Sequence, residues 1–431
     1  MKHRRTDAVQ TRRDATASAA VGVPTARGSS GPDRQRAPAA RAAVERGLHP
    51  EAEAAVRRAS LRLGAALTAA RNADQVTSPL GALYALSMLR AGAGTTTAKE
   101  LDTVLGLTDE HHAAMNALLA SVQQFDGDPG AVDEDDPPRT PLLHLAGAVF
   151  VPAGGTTGEA FLEVLARQYG AGVHPVDFAD PSTAARVDDW VSAETGGRIT
   201  KAPLQPGPAT TLSLLTAVYF AAAWDEPFDA VATGDRPFTL SGGPTVDVPT
   251  MHSSPTVRYA RGKGWSGIDL PYGEGFFLRL VLPAEGSAPA WDEQQLAGIA
   301  DVLDAAAPVP VDLALPTWSH GSTQDLMGVL GALGLAETVG PGADFRAIQP
   351  GTTLSGGAQT ADITVAEKGT IAAAVTQFAM VTSAPVPPEL SIAFDRPFGY
   401  QVVHEETGLP VIMGTVADPR AARRPAGRAG S

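Results

Sequence analysis

The chain has 431 residues, 44% hydrophobic and 19% charged, with a net charge of -14 and no cysteine. That is enough apolar material for a sizeable core, in one large domain or in two to three ordinary ones. The lack of cysteine excludes disulfides, thiolate metal sites and cysteine nucleophiles, and no run approaches the roughly 18 apolar residues of a membrane-spanning helix.

The charge is unevenly spread. Residues 1–50 hold ten Lys/Arg and four Asp/Glu, so the remainder is strongly acidic. An acidic body repels phosphates, which argues against nucleic acid as a partner. In residues 1–50 the arginines are diluted among Ala, Ser, Gly and Pro, a composition that reads as a disordered basic tail. No apolar stretch follows Arg4-Arg5 or Arg12-Arg13, so no signal peptide is recognisable. The compartment stays open, leaning to the cytoplasm over secretion.

Apolar residues recur at helical spacing over 51–70. Ser78-Pro79 opens a second helix with Leu80, Leu83, Tyr84 and Met88 on one face, closed by Gly92 and Gly94. Residues 95–105 read as a short helix after threonines suited to capping, and 126–140 as an acidic, Pro/Gly-rich surface loop. Residues 142–151 have strand character, 161–169 and 184–195 look helical, and 212–220 read as a central strand. From 238 to 282 short strands alternate with turns such as Ser241-Gly242-Gly243. Helical periodicity returns over 323–335, and the chain ends strand-like. Helices mostly first, strands mostly later and no β-α alternation indicate an α+β fold.

The most informative segment runs from Glu367 through Ala384. Between Gly369 and Ala384 it has neither charge nor proline, so nothing forbids burial within a sheet. With alternating side chains, Thr370, Ala372, Ala374, Thr376, Phe378 and Met380 share one face, and Ile371, Ala373, Val375, Gln377, Ala379 and Val381 the other. Gly369 offers a pivot. On these residues alone an ordinary core strand and an Ala-rich buried helix both remain open.

Several ordered blocks from about residue 51 to 419 carry a resemblance. They include Ser78-Pro79-Leu80, Gly92-Ala93-Gly94, Thr195-Gly196-Gly197-Arg198-Ile199 and Trp224-Asp225-Glu226-Pro227-Phe228. Further on come Leu270-Pro271-Tyr272, Ala343-Asp344-Phe345, Asp395-Arg396-Pro397-Phe398 and Met413-Gly414-Thr415-Val416-Ala417-Asp418-Pro419. Together, in this order, they resemble the serpin family of serine protease inhibitors, in a bacterial-type member. The resemblance implies a serpin domain over 51–419: a helical cluster on a large central mixed β-sheet, additional smaller sheets, and an exposed reactive-centre loop at about 367–388. Residues 420–431 would form a flexible C-terminal tail.

In such proteins a protease cuts the loop, and the loop then inserts into the main sheet as a new strand. Glu367, Lys368, Gly369, Thr370, Ala372, Ala373 and Ala374 correspond to the hinge, with the small residues of inhibitory members. Counting from the hinge puts the cleaved bond at Ser383-Ala384; counting back from Pro397-Phe398 points nearer Val386. The hinge count is preferred, because the length of inserted strand determines how far the protease is carried. Thr382, Met380 and Phe378 are alternative baits. Small uncharged residues at the bond favour elastase-like or subtilisin-like proteases over trypsin-like ones.

Around the point where the sheet opens, the resemblance assigns Ser78, Thr216, Trp224 and Gln359. Thr216 and Gln359 stand where the family usually has Asn and His, so the polar network there must differ. The implied partner is a serine protease in a covalent acyl complex with a monomeric inhibitor, without cofactor, metal, nucleic acid or membrane. The alternative is a non-inhibitory carrier or structural binding protein of the same fold.

Other chemistry is disfavoured. Gly262-Lys263-Gly264-Trp265-Ser266-Gly267 matches a dinucleotide fingerprint by letter but is followed by strand and turn, not helix. His111-His112 read as surface histidines without a metal partner. No Gly-x-Ser-x-Gly elbow is present, and the chain is not expected to be an enzyme.

Overall fold

The computed structural model describes residues 34–44, 46–70, 73–133, 135–202, 206–370 and 388–420. The first half alternates helices with long strands: α1 (Pro50–Leu67), β1 (Gln75–Thr77), α2 (Pro79–Ala91), α3 (Thr95–Leu105), α4 (His111–Gln123), β2 (Leu142–Pro152), α5 (Glu159–Val164), β3 (Val173–Val176), α6 (Ser182–Glu194) and β4 (Ser213–Ala223). Then follow β5 (Gly234–Thr239), β6 (Thr245–Ser253), β7 (Thr256–Gly262), β8 (Trp265–Pro271), β9 (Phe276–Pro283), α7 (Glu293–Asp304), β10 (Pro308–Pro316), β11 (Trp318–Asp325) and α8 (Leu326–Ala332). The chain closes with β12 (Gly356–Ala366), β13 (Gly369–Thr370), β14 (Leu390–Ala393), β15 (Phe398–His404) and β16 (Leu409–Val416).

The strands form two sheets with helices packed on them, an α+β architecture. One is a six-stranded mixed sheet in the order β11-β12-β13-β4-β2-β3. The other is ten-stranded, β1-β16-β15-β9-β8-β7-β10-β6-β5 with β14 beside β10. Helix α2 packs against β2 and β4 of the first layer and β16 of the second. It is apolar almost all round and buried from Pro79 to Leu89, the pattern of a helix inside a core. Ser78 caps it, its hydroxyl accepting from the Gly81 amide, and Pro79 supplies the preset φ of a first helical position. Strand β4 is buried along its full length, as a central strand covered on both faces must be.

The folded chain differs from the sequence expectations in three places. The helical pattern expected over 323–335 splits: Trp318–Asp325 is an edge strand paired antiparallel to β12, and only Leu326–Ala332 is helical. Pairing with β12 along the whole length of β11 outweighs the weak helical spacing of Thr323 and Gln324, and Asp325 then caps α8 through the Met327 amide. His111 is not a surface histidine. It is buried, with its ring 3.7 Å from that of His112, and burial drives its pKa down to about 4, so it is neutral at pH 7. Third, part of the expected tail lies on the body. Gln35 exchanges two backbone hydrogen bonds with Val173 at the edge of β3, and Ala42 donates to the Arg167 carbonyl at 2.8 Å. The buried side chain of Asn116 donates to Ala42 O at 3.2 Å and accepts from Arg41 Nε at 2.7 Å. Residues 34–44 therefore strap β3 to α4.

Helix α6 covers the outer face of the six-stranded sheet, where Val187, Trp190 and Val191 meet Phe150, Leu215, Ala217 and Ala358. Its last residue, Glu194, accepts from His144 Nε2 of β2 at 2.7 Å, while His144 Nδ1 faces Asp126 at 2.7 Å. Burial opposes charge on this ring, but hydrogen bonds to the two carboxylates outweigh it and raise the pKa to about 9.

Replacing Asn116 with Ala removes the acceptor of Arg41 Nε and the donor to the Ala42 carbonyl, while Arg41 keeps Gln123 and the Asn116 backbone carbonyl; denaturant unfolding should show a loss of about 1–2 kcal/mol. The His144 contribution is pH-dependent with a defined sign. Because the folded pKa lies above the unfolded value of about 6.5, the stabilisation is complete below that pH and is lost as pH rises through about 9. His144→Gln should therefore cost roughly 2–3 kcal/mol near pH 6, discounted for partial exposure. The difference from wild type should shrink steadily in melts taken up to pH 10.

Candidate functional site

The hinge residues sit at one end of the six-stranded sheet. β12 turns back at Glu367 and Lys368, and Gly369 and Thr370 form β13. This two-residue strand pairs antiparallel with β12 on one side (Val365 with Thr370, Ala366 with Gly369) and with β4 on the other (Ala222 with Thr370, Ala223 with Gly369). Lower down, β12 and β4 pair directly and in parallel, from Gly356 with Ser213 to Thr360 with Ala217. The sheet is thus joined at both ends of one seam, and β13 is a wedge in its upper end.

Side chains and backbone fasten the wedge. The Trp224 amide donates to Lys368 O at 3.0 Å, the Phe228 amide to Glu367 O at 2.8 Å, and the Trp224 indole N–H to Ala366 O at 2.8 Å. Glu367 accepts from the Thr233 hydroxyl at 2.9 Å, and Lys368 Nζ donates to Asp135 O at 2.9 Å. Thr370 is 1% exposed, and its hydroxyl lies 2.5 Å from the Tyr272 hydroxyl. The Tyr272 ring stacks on Trp224 with centroids 4.6 Å apart, and burial pushes its phenol pKa upward, so it stays protonated and able to donate. Gly369 is required by space: a Cβ there would collide with the Ala222 carbonyl oxygen. That close approach, rather than an unusual φ, explains the glycine.

The polar cluster assigned to the sheet opening is assembled at the lower part of the seam. Gln359 and Thr216 are register partners on β12 and β4, both buried. Gln359 Oε1 accepts from the Ser78 amide at 2.8 Å and the Thr77 hydroxyl at 2.5 Å. Its amide nitrogen donates to Ser78 O at 2.9 Å and, more weakly, to Thr216 Oγ1 at 3.4 Å. The Ser78 hydroxyl donates to Val411 O at 2.6 Å. One glutamine thus ties the start of α2 to both strands of the seam, and every group of its side-chain amide is satisfied.

Of the residues singled out in the sequence, Ser78, Thr216 and Gln359 meet at the lower part of the seam, and Trp224, Glu367, Lys368, Gly369 and Thr370 at its upper end. Ala372, Ala373, Ala374, Phe378, Met380, Thr382, Ser383 and Ala384 lie outside the described residues. Sequence reading did not single out Tyr272, Thr77 or Asp135. Tyr272 was visible within Leu270-Pro271-Tyr272, but its partner is 98 residues away. The acidic loop reaches the hinge through Pro138, whose carbonyl accepts from the Ala223 amide at 2.9 Å. The Gly262 to Gly267 stretch is the β7–β8 hairpin, with Gly264 at φ 81°, and opens no helix. Among the described residues, no group of His, Asp and Glu could hold a metal ion.

A family model described as Serpin (serine protease inhibitor) matches residues 54–419. Among curated proteins, the chain is similar to an uncharacterized serpin-like protein of Thermococcus kodakarensis, 30% identical over 364 residues and covering 82% of each chain. It is also similar to glia-derived nexin of Mus musculus, 30% identical over 365 residues, covering 80% of this chain and 87% of that one. Among solved structures, the thermophilic serpin tengpin in its native state shares the fold with a TM-score of 0.77 at 22% identity, covering 88% of this chain and 97% of that one. The chain belongs to the serpin family, whose members are in general protease inhibitors rather than catalysts.

Proposed function

We propose that this serpin is a suicide-substrate inhibitor of serine proteases, working by cleavage and insertion of the segment that follows Thr370. The observation that carries the reading is β13. Two hinge residues already pair on both sides between β4 and β12, so further insertion continues a ladder that has begun. Continued in the same register, Ala372 would meet Phe220 and Ile363, Ala374 would meet Val218 and Ala361, and Thr376 would arrive between Thr216 and Gln359. The last sheet position falls at Ala379, opposite Ser213 and Gly356. Ser383 would then lie just past the far end of the sheet, which supports the hinge count for the bait bond.

In the chemistry proposed, the protease serine oxygen attacks the Ser383 carbonyl and the Ser383–Ala384 peptide bond breaks. The proton taken from the serine passes to the Ala384 amine, leaving an ester between Ser383 and the enzyme. Insertion gains ladder hydrogen bonds and buried area, carries the acylated enzyme along the sheet, and stalls hydrolysis of the ester. Small uncharged residues at the bond favour elastase-like or subtilisin-like targets, and the inhibitor acts as a monomer without cofactor.

Incubation with elastase-like, subtilisin-like, chymotrypsin-like and trypsin-like proteases checks this directly. The expected outcome is a denaturant-resistant complex with one of the first two and a released peptide beginning at Ala384. Loop cleavage by every protease with no complex and full protease activity would replace the inhibitor with the carrier. Position 370 gives a sharper prediction. Thr370→Arg puts a charge into a site that is 1% exposed, against the Tyr272 hydroxyl, at a cost of several kcal/mol. The variant should still be cleaved, yet the yield of stable complex should fall at least tenfold on denaturing gels.

A further inference from the structure

Residues 34–44 lie along a cleft between α4 and the wide π-type turn 165–169 that follows α5, a distortion frequent at functional sites. On the turn side, Arg34 donates to Gly170 O at 2.6 Å, and Ala42 and Gln35 make the backbone bonds to Arg167 and Val173. On the α4 side, Arg41 donates to Asn116 and Gln123. Asn116 also crosses the cleft, donating to Gln168 Oε1 at 3.2 Å.

One turn earlier on α4, His112 joins the same two walls, sharing a face with Asn116 at spacing i, i+4. Its Nδ1 lies 2.5 Å from the Tyr169 hydroxyl, and the two rings meet edge to face at 5.7 Å. Burial keeps the Tyr169 phenol protonated, so the hydroxyl donates and Nδ1 is bare. The neighbouring His111 is buried, and its Nδ1 donates to the Thr108 carbonyl at 3.1 Å. Its Nε2 is buried with no hydrogen-bond partner among the described residues. A second proton therefore has no place on either ring. On His112 it would displace the phenol proton, and on His111 it would set an unpaired N–H in the interior.

The surroundings add to this. The two rings are 3.7 Å apart, so charge on one repels charge on the other, and both open α4, where the helix dipole disfavours cations. Arg90 of α2, paired with Asp102 of α3 at 2.7 Å, opposes protonation of both rings. Asp102 and Asp109 favour a charged His111 but are outweighed by burial. Tyr84 of α2 stands edge-on to Tyr169 at 5.8 Å, and burial keeps its phenol neutral too. Arg62 of α1, paired with Glu293, reaches the Val104 carbonyl before α4. β2 turns its His144 the other way, to Glu194 of α6. The pKa values of His111 and His112 are driven down to about 4 and about 3, by burial first.

We propose that the His111–His112 pair is an acid-operated joint, whose protonation parts α4 from residues 165–169 and releases the strap 34–44 from its seat. In an open joint the rings return to water and to an ordinary pKa of about 6.5. Above that pH neither form is charged and the joint holds with full strength. As pH falls below it only the open form takes up protons, so each ring favours opening roughly twentyfold more at pH 5 than at pH 7. Release uncovers the outer edge of β3 at Val173, a place for another strand to pair.

Hydrogen exchange of the full chain from pH 7.5 to 4.5, corrected for intrinsic rates, reads the joint through peptides carrying the Gln35 and Ala42 amides. In wild type their protection should fall at least twentyfold between pH 7 and pH 5, while β15 and β16 stay protected. His111→Asn keeps a donor to Thr108, His112→Asn keeps an acceptor for Tyr169, and neither titrates. Each single variant should shrink the fall, and the double variant should abolish it. A flat wild-type profile, an equal fall in the double variant, or an equal loss in β15 and β16 overturns the proposal. An imidazole NMR titration of wild type reports even where the variants fold poorly. His111 and His112 should titrate below pH 5, and titration of either near pH 6.5 in the folded chain overturns the joint.

Discussion

Strands β4 and β12 run parallel, share five register pairs at their lower ends, and then diverge around β13. A sheet that could pair along its full length is here held partly open. Between the lower ladder and the wedge, residues 218–221 of β4 and 361–364 of β12 do not pair with each other. The rest of the molecule is arranged around that seam. Trp224 and Tyr272 clamp the wedge, Gln359 ties the lower ladder to α2, and α6 lies across the outside.

The three fastenings differ in chemistry, and so in what loosens them. At the hinge, buried aromatic stacking and hydrogen bonds to backbone carbonyls dominate, a combination insensitive to salt and to pH near neutrality. At Gln359 a single neutral amide satisfies four partners in the core, so it adds rigidity without the desolvation cost of a buried charge. Under α6 the links are ionic and partly solvated, the kind that breaks and re-forms most easily. A strand that enters from the hinge end would meet the hinge fastenings first, the ionic links under α6 next, and the Gln359 network last. Thr77, Ser78, Thr216 and Gln359 make a network of neutral groups.

Much of this was legible locally. Ser78 followed by Pro79 announces a capped helix because both signals act within one turn. The unbroken apolar run over β4 announces a strand buried on both faces. The uncharged, proline-free segment after Gly369 announces compatibility with a sheet interior. Legibility fails where the partner is remote. Residues 34–44 have the composition of a tail, yet backbone bonds to Val173 and Arg167, the Asn116 side chain and hydrogen bonds from Arg34 and Arg41 seat them on the body. The β11 segment carries a faint helical spacing that full-length pairing with β12 overrules. Tyr272 is an unremarkable letter until the topology sets it beside Thr370.

By itself, then, the sequence determined the parts: an acidic, cysteine-free body, helix starts and glycine stops, one long buried strand, and a hinge whose residues are small enough to bury. Its ordered motifs also pointed to the family. Only the tertiary structure decided that Gly369 and Thr370 are already paired on both sides and that Gln359 faces Thr216 across the seam. The division has a physical origin. Caps, turns and periodicity arise from contacts within a few residues, whereas register and cross-seam bonds join positions more than a hundred residues apart, and only the completed topology brings those together.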